Sequence, residues 1–235
     1  MNIFKAYDIR GKYPSEIDEN IAESIGIATA KFIRGKAIAI GRDVRKSAPA
    51  IAEAVANGIT KTGVDVIDIG LSTTPMLYFT VGRYGYDGGI MITASHNPPD
   101  YIGFKVCRED AIPIGESNGL KIIEMMTQDL KDRNAGKKGV VSKRDVLADY
   151  KNHILGFVKN TRKMRIVVDT ANGSVGKFFT QIFSQLPLEI IPLCFEPDGS
   201  FPNHEPNPLK DENIRDSSQK VKDVKADFGV AFDGD

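Results

Sequence analysis

Apolar residues recur along the first half of the chain in two alternating rhythms, short continuous runs and longer stretches with helical spacing. Glu19 to Ile33 sets Ile21, Ile25, Ala28 and Phe32 on one face and meets Gly35 as a stop, which predicts a helix. Ala37 to Ile40 predicts a buried strand. Ser47 then predicts the cap of a helix running to Thr62, with Ala50, Ile51, Ala54, Val55, Gly58 and Ile59 inward and Gly63 at its end. Asp65 to Ile69 predicts a strand, Thr74-Pro75 the N-cap and first position of a helix that stops at Gly85, and Gly89 to Thr93 another strand. Gly103 to Val106 continues as a strand and Asn118 to Leu130 as a helix with Leu120, Ile123, Met126 and Leu130 inward. This alternation with short connections predicts a largely parallel sheet flanked by helices; periodicity leaves the strand order open.

The rhythm breaks at Lys131 to Arg144, a charged, glycine-containing stretch nearly free of large apolar residues, which predicts a domain boundary. Two consecutive α/β domains follow, residues 1–144 and 145–235, with mixed, largely parallel sheets and flanking helices. In the second, Asp145 to Val158 predicts a helix and Ile166 to Val168 a strand, and the turn Asp169 to Ser174 leads into a helix near Val175. Glu189 to Leu193 and Phe228 to Phe232 predict strands, and Pro197 to Pro208 is too rich in proline for anything but an ordered loop.

Composition narrows the class further. With 41% apolar and 26% charged residues in 235, the chain has the make-up of a soluble globular protein. Thirty-one basic and 31 acidic residues cancel, which argues against a general nucleic-acid or anionic-membrane surface. The start, Met1-Asn2-Ile3-Phe4-Lys5, has no apolar signal core, and no run approaches the roughly 18 apolar residues of a membrane span. Cys107 and Cys194 lie far apart without metal-ligand spacing, as expected of free thiols in a reducing, cytoplasmic compartment.

Chemistry concentrates in Thr93-Ala94-Ser95-His96-Asn97-Pro98-Pro99. The preceding strand delivers Ser95 to its C-terminal end, where open α/β sheets bind ligands, and the two prolines restrict the loop. Arg10 beside Gly11 offers a planar cation to a phosphate or carboxylate, with a solvated turn as the alternative. Gly41-Arg42-Asp43-Val44-Arg45-Lys46-Ser47 is a basic βα loop suited to an anion, the alternative being local pairing of Arg42 with Asp43. Asp233 and Asp235 stand two apart after an apolar run, so an extended backbone would turn both toward one hard cation such as Mg²⁺; a solvated acidic terminus is the alternative. The turn Asp169 to Ser174 has the composition of a phosphate cradle without the glycine spacing of a nucleotide loop, and His204 beside Glu205 reads as a hydrogen-bonding partner.

Taken in order, Tyr7-Asp8-Ile9-Arg10-Gly11, Gly41-Arg42-Asp43, Thr93-Ala94-Ser95-His96-Asn97-Pro98, Gly103-Phe104-Lys105, Asp198-Gly199-Ser200-Phe201-Pro202-Asn203-His204 and Asp233-Gly234-Asp235 resemble the signatures of the α-D-phosphohexomutase superfamily, most closely its bacterial phosphomannomutase/phosphoglucomutase branch. The resemblance covers the whole chain and implies the first and most of the second of four domains, so the second domain is expected to be incomplete, truncated at the metal-binding loop. It implies conversion of hexose 1-phosphate to hexose 6-phosphate through a hexose 1,6-bisphosphate. Ser95 would carry the phosphate, and His96 and Lys105 would move protons. Arg10 would meet transition-state charge; Tyr7, Arg10 and Lys105 would contact substrate; Ser95, Asp233 and Asp235 would hold Mg²⁺. The family's third metal-loop Asp and its sugar-specificity loop lie later than this chain reaches, so poor turnover is expected of the chain alone. Phosphoglucosamine mutase and a non-catalytic sugar-phosphate-binding fragment are the alternatives. Ile102 stands where the family commonly has Asn.

Overall fold

The apolar runs of the first half fold into one six-stranded sheet in the computed structural model, which describes residues 2–130 and 136–235. Residues 131–135, part of the expected charged boundary, lie outside the described residues. The chain divides into two compact units, Met1–Ala94 with Asp100–Asp145, and Ser95–Pro99 with Val146–Asp235. Both are α/β.

In the first unit the strands are β1 (Ile9–Lys12), β2 (Ala37–Arg42), β3 (Asp65–Leu71), β4 (Gly88–Ile92), β5 (Tyr101–Arg108) and β6 (Val141–Lys143), in the order β1-β5-β4-β2-β3-β6. β2 runs parallel to β3 and β4, and β3 parallel to β6; β5 is antiparallel to β4 and β1. The chain leaves β2 toward β3 and then crosses back to β4 on the other side. The loops after β2 and β4 therefore part at one edge, the switch point where open α/β sheets take ligands. Asp43 N donates to Ile92 O at 3.0 Å, tying the two loops together at their origin.

Helices α1 (Glu19–Ile33), α2 (Ala48–Lys61), α3 (Thr74–Tyr84) and α4 (Lys121–Gln128) cover the sheet. Ile25 and Ile51 pack with Ile9, Ile102, Phe104 and Val106 in one core, while Leu77 and Val81 of α3 pack with Ala39, Met91 and Cys107 in another. Alternation along β5 makes this division, because successive side chains point to opposite faces.

Several ends differ from the expected chemistry. The left-handed residue that stops α1 is Arg34 (φ 57°), not Gly35. Gly35 is needed for space instead, since a Cβ there would collide with the Asp87 side chain, whose carboxylate accepts from Lys36 N and Ala37 N. Ser47 makes no capping bond, and Thr73 rather than Thr74 caps α3, accepting from Met76 N. The helix predicted from Asn118 starts later, as α4 at Lys121, because Asn118 (φ −129°, ψ 15°) and Gly119 (φ 155°) are not helical. Asp18 caps α1, its Oδ1 accepting from Ile21 N at 2.8 Å. Asp18→Ala is expected to lower stability by about 1 kcal/mol, within the usual range of roughly 0.5–2 for a lost cap, as read from urea unfolding midpoints.

The second unit is built on a three-stranded parallel sheet, ordered β8 (Leu188–Leu193), β7 (Met164–Asp169), β9 (Phe228–Ala231). Helices α5 (Leu147–Leu155), α6 (Val175–Phe183) and α7 (Asp211–Asp223) accompany it. Ile166, Val168 and Phe179 form its small core, with Phe179 edge-on to Phe195 and Phe232.

Candidate active site

Thr93-Ala94 directly follows β4, and then comes Ser95, buried at 5% exposure and held at φ 53°. A non-glycine residue in the left-handed region is strained by about 1–3 kcal/mol and persists where its surroundings over-determine it. Here the surroundings are the turn after β9. Ser95 Oγ donates to Asp233 Oδ2 at 2.6 Å, and Asp233 Oδ1 accepts from Asp235 N at 3.3 Å. A Cβ on Gly234 would lie 2.7 Å from the Ser95 carbonyl oxygen and 3.6 Å from Phe201 and Pro206, so glycine lets the turn lie flat on the serine backbone. Asp233 and Asp235 lie beyond the last residue of β9, and the hydrogen bond from Asp235 N to Asp233 Oδ1 ties the two together. Ser174 N holds Gly234 O at 3.1 Å, and Phe232 N binds Asp169 O at 2.9 Å.

The Asp198 to His204 segment supports this turn. Asp198 Oδ1 accepts from Ser200 N and Oγ, Phe201 is buried in a left-handed conformation (φ 50°), and Asn203 Nδ2 donates to Asn172 Oδ1. The sequence motif is thus a prop for the Asp233 turn. His96 is half-buried and belongs, with Ser95, to the second unit.

In the first unit Arg10 on β1 pairs in register with Gly103 on β5. Ile9, Ile102 and Phe104 face the core, so Arg10 and Lys105 share the opposite face of this strand pair. Asp8, not among the expected site residues, uses one oxygen, Oδ2, to accept from Arg10 Nε at 2.7 Å and to meet Nη2 at 2.6 Å, which anchors the guanidinium beside β1. A Cβ at Gly103 would collide with Ile9 O and come within 3.2 Å of Arg10 Cγ. Tyr7 is 85% exposed beside a cavity of about 510 Å³ that Gly115, Asn118 and Lys121 also line. Ile102 is fully buried in the core, so its departure from Asn is met by packing.

The basic loop after β2 does not present all its charge. Arg45 is 1% exposed; its Nε pairs with Asp43 Oδ2 at 3.1 Å and its Nη1 donates to Tyr101 O at 3.0 Å. Arg45, rather than Arg42, thus pairs with Asp43, and it pins β5 to the switch-point loop instead of facing an anion.

His204 Nε2 lies 3.1 Å from Asp169 Oδ2, and His204 Nδ1 lies 2.8 Å from Glu205 O. The hydrogen bond to Asp169 is the chief cause raising the His204 pKa above its ordinary value. A raised histidine pKa contributes stability that is present below the unfolded value of about 6.5 and lost as pH rises through the folded one. Urea unfolding in EDTA from acid to alkaline pH is therefore expected to show the advantage of wild type over His204→Gln shrinking upward of about pH 6.5; a pH-independent difference would refute the linkage. Cys194 and Cys107 are free, their thiols pushed up to about 11 and about 12, chiefly by burial.

Fold and site together define a two-domain α/β protein with a strained serine bonded to an acidic turn. Residues 1–133 match the model of phosphoglucomutase/phosphomannomutase α/β/α domain I, and residues 148–235 that of domain II. The chain belongs to the phosphoglucomutase/phosphomannomutase family. It is 39% identical to a phosphomannomutase of Vibrio cholerae, with 100% of this chain and 53% of that protein covered. It is 40% identical to a protein named for phosphohexose mutases from Xanthomonas campestris, with 99% and 52% covered. A crystal structure of a phosphoglucomutase/phosphomannomutase family protein from Burkholderia thailandensis superposes with a TM-score of 0.91 at 38% identity, covering 99% of this chain and 52% of that one. The chain thus spans about half the length of the curated relatives it matches. Among the described residues no helix is long and apolar enough to cross a membrane.

Proposed function

We propose that this chain carries the phosphoserine half of a phosphohexomutase that interconverts hexose 1-phosphate and hexose 6-phosphate, with residues 1–144 and 145–235 as its first two domains. The observation that carries the reading is the 2.6 Å contact from Ser95 Oγ to Asp233, on a loop strained to hold it. A serine hydroxyl is a weak nucleophile, but a phosphorylated serine is a phosphoryl donor that needs alignment and charge neutralisation more than a strong base. In this reading phosphoserine 95 gives its phosphoryl group to a sugar hydroxyl, whose proton passes to Lys105 or His96. The resulting hexose 1,6-bisphosphate turns over, and its other phosphate returns to Ser95. Arg10, held by Asp8, meets charge on the transferring group, and Tyr7 contacts the sugar.

The oxygen-only set of Ser95, Asp233 and Asp235 suits a hard cation, which supports assigning them to Mg²⁺. When bound, Mg²⁺ supplies positive charge that stabilises the phosphoryl group in transfer. The two free cysteines suit work in a reducing cytoplasm. Turnover assayed with and without a separately supplied C-terminal half of a relative tests the proposal: activity should appear only with both halves. No turnover with both present, while the chain still binds hexose phosphate, favours a non-catalytic sugar-phosphate-binding role.

A further inference from the structure

Apart from the Ser95 centre, one cluster among the described residues brings a carboxylate, a thiol and an imidazole together, with ligand atoms of Asp169, Cys194 and His204 all within 4.8 Å of one another. Asp169 ends β7 and Cys194 directly follows β8, so both stand at the C-terminal edge of the parallel sheet, the edge at which such sheets bind ligands. The loops that carry them are locked. Thr170 Oγ1 and Asn172 N both donate to Cys194 O at 2.8 Å, and Asn172 Nδ2 donates to Glu196 O at 2.8 Å. Cys194 itself is held at φ 54°, a conformation that a non-glycine residue keeps only where the structure enforces it.

The hydrogen-bond directions are the deciding feature. A carbonyl oxygen only accepts, so His204 Nδ1, 2.8 Å from Glu205 O, carries the proton. In neutral imidazole the Nε2 lone pair then points at Asp169, 3.1 Å from Oδ2 and 3.3 Å from Oδ1, which has only lone pairs to offer. The Asp169 side chain is 2% exposed, so water does little to relieve this opposition. Only a positive species between them satisfies both, either a proton or a metal ion. The Nδ1 bond to a backbone carbonyl is also the support that orients histidines bound to metals, and Ala171 N steadies Asp169 Oδ1 at 3.0 Å.

We propose that Asp169 Oδ2, Cys194 Sγ and His204 Nε2 form a binding site for a thiophilic divalent transition ion of the zinc type. Three protein ligands leave a fourth tetrahedral position for water. A set of oxygen, nitrogen and sulfur selects such an ion over Mg²⁺, so this site is chemically distinct from the oxygen-only set at Ser95. Binding deprotonates Cys194, whose proton passes to solvent, and the thiolate takes its place on the ion.

Cobalt(II) titration of the 235-residue chain in excess Mg²⁺ tests this, with Mg²⁺ keeping oxygen-only acidic sites filled. The expected result is a near-ultraviolet thiolate-to-cobalt band saturating at one equivalent, together with a thermal midpoint raised by Zn²⁺. Cys194→Ser should lose the band, and His204→Gln should weaken binding at least tenfold, with circular dichroism confirming that both variants fold. Absence of the band in wild type, an outcome independent of any variant, overturns the proposal and leaves the cluster as a hydrogen-bonded latch. An undiminished band in Cys194→Ser overturns it equally.

Discussion

Ser95→Ala is expected to abolish phosphate incorporation from a hexose 1,6-bisphosphate and to lower mutase turnover, reconstituted with a C-terminal half, by at least about 10³-fold, the scale on which removing a covalent nucleophile acts. Peptide mass spectrometry of wild-type chain should place the phosphate on Ser95 and nowhere else. The substitution is mild for the fold, because alanine meets the same strain at φ 53° and adds no volume. What goes is the hydroxyl that donates to Asp233, a bond to a charged partner worth roughly 1.5–3 kcal/mol where buried and less at this half-buried carboxylate. Thermal unfolding followed beside the assay separates a lost reaction from a lost fold. Phosphate retained at another residue in the variant would move the covalent step away from Ser95.

The fold was legible wherever the apolar rhythm was strong. The helix predicted over Glu19 to Ile33 matches α1 residue for residue, and the runs at Asp65, Gly89 and Ile166 mark β3, β4 and β7 to within two residues or so at their ends. α7 escaped because Asp211–Asp223 offers little apolar beyond Ile214 and Val221, too little to mark a face. β1 and β6 escaped for another reason. Four residues of Ile-Arg-Gly-Lys and three of Val-Ser-Lys are too short for a period, and only pairing with β5 and β3 makes them strands. At the site, the motif residues were readable but their couplings were not. The contact between Ser95 and Asp233 joins positions 138 apart, and the Asp169–His204 pair joins positions 35 apart, separations at which local spacing carries no information. The Asp8–Arg10 pair was the exception within reach. An acid and an arginine only two positions apart are within reach of a local pair, and Asp8, just before β1, takes the Arg10 guanidinium that way.

Phosphorylation of Ser95 should raise the chain's Mg²⁺ affinity by roughly 10²-fold or more, and Asp233→Asn should remove most of that gain. In the unmodified chain the Ser95 hydroxyl donates to Asp233 Oδ2 at 2.6 Å, so the carboxylate is already satisfied and has little need of a cation. Phosphate removes that donor and sets about −1.5 to −2 charge beside the same carboxylate. Two like charges about 4 Å apart repel by roughly 4 kcal/mol per unit pair at an effective dielectric near 20. A cation shared by phosphate and Asp233 turns that repulsion into attraction, and part of the difference appears as metal affinity; about 2.7 kcal/mol corresponds to 10²-fold, at roughly 1.4 kcal/mol per tenfold. Asparagine keeps the shape and an acceptor oxygen but carries no charge, so Asp233→Asn should bind Mg²⁺ with similar, weak affinity before and after phosphorylation. Binding linkage is reciprocal, so Mg²⁺ should in turn favour the phosphorylated form in wild type far more than in the variant. Calorimetric titration of both forms of both proteins measures the whole cycle, and equal Mg²⁺ affinity in phosphorylated and unmodified wild type would show that Asp233 and the phosphate do not share the ion.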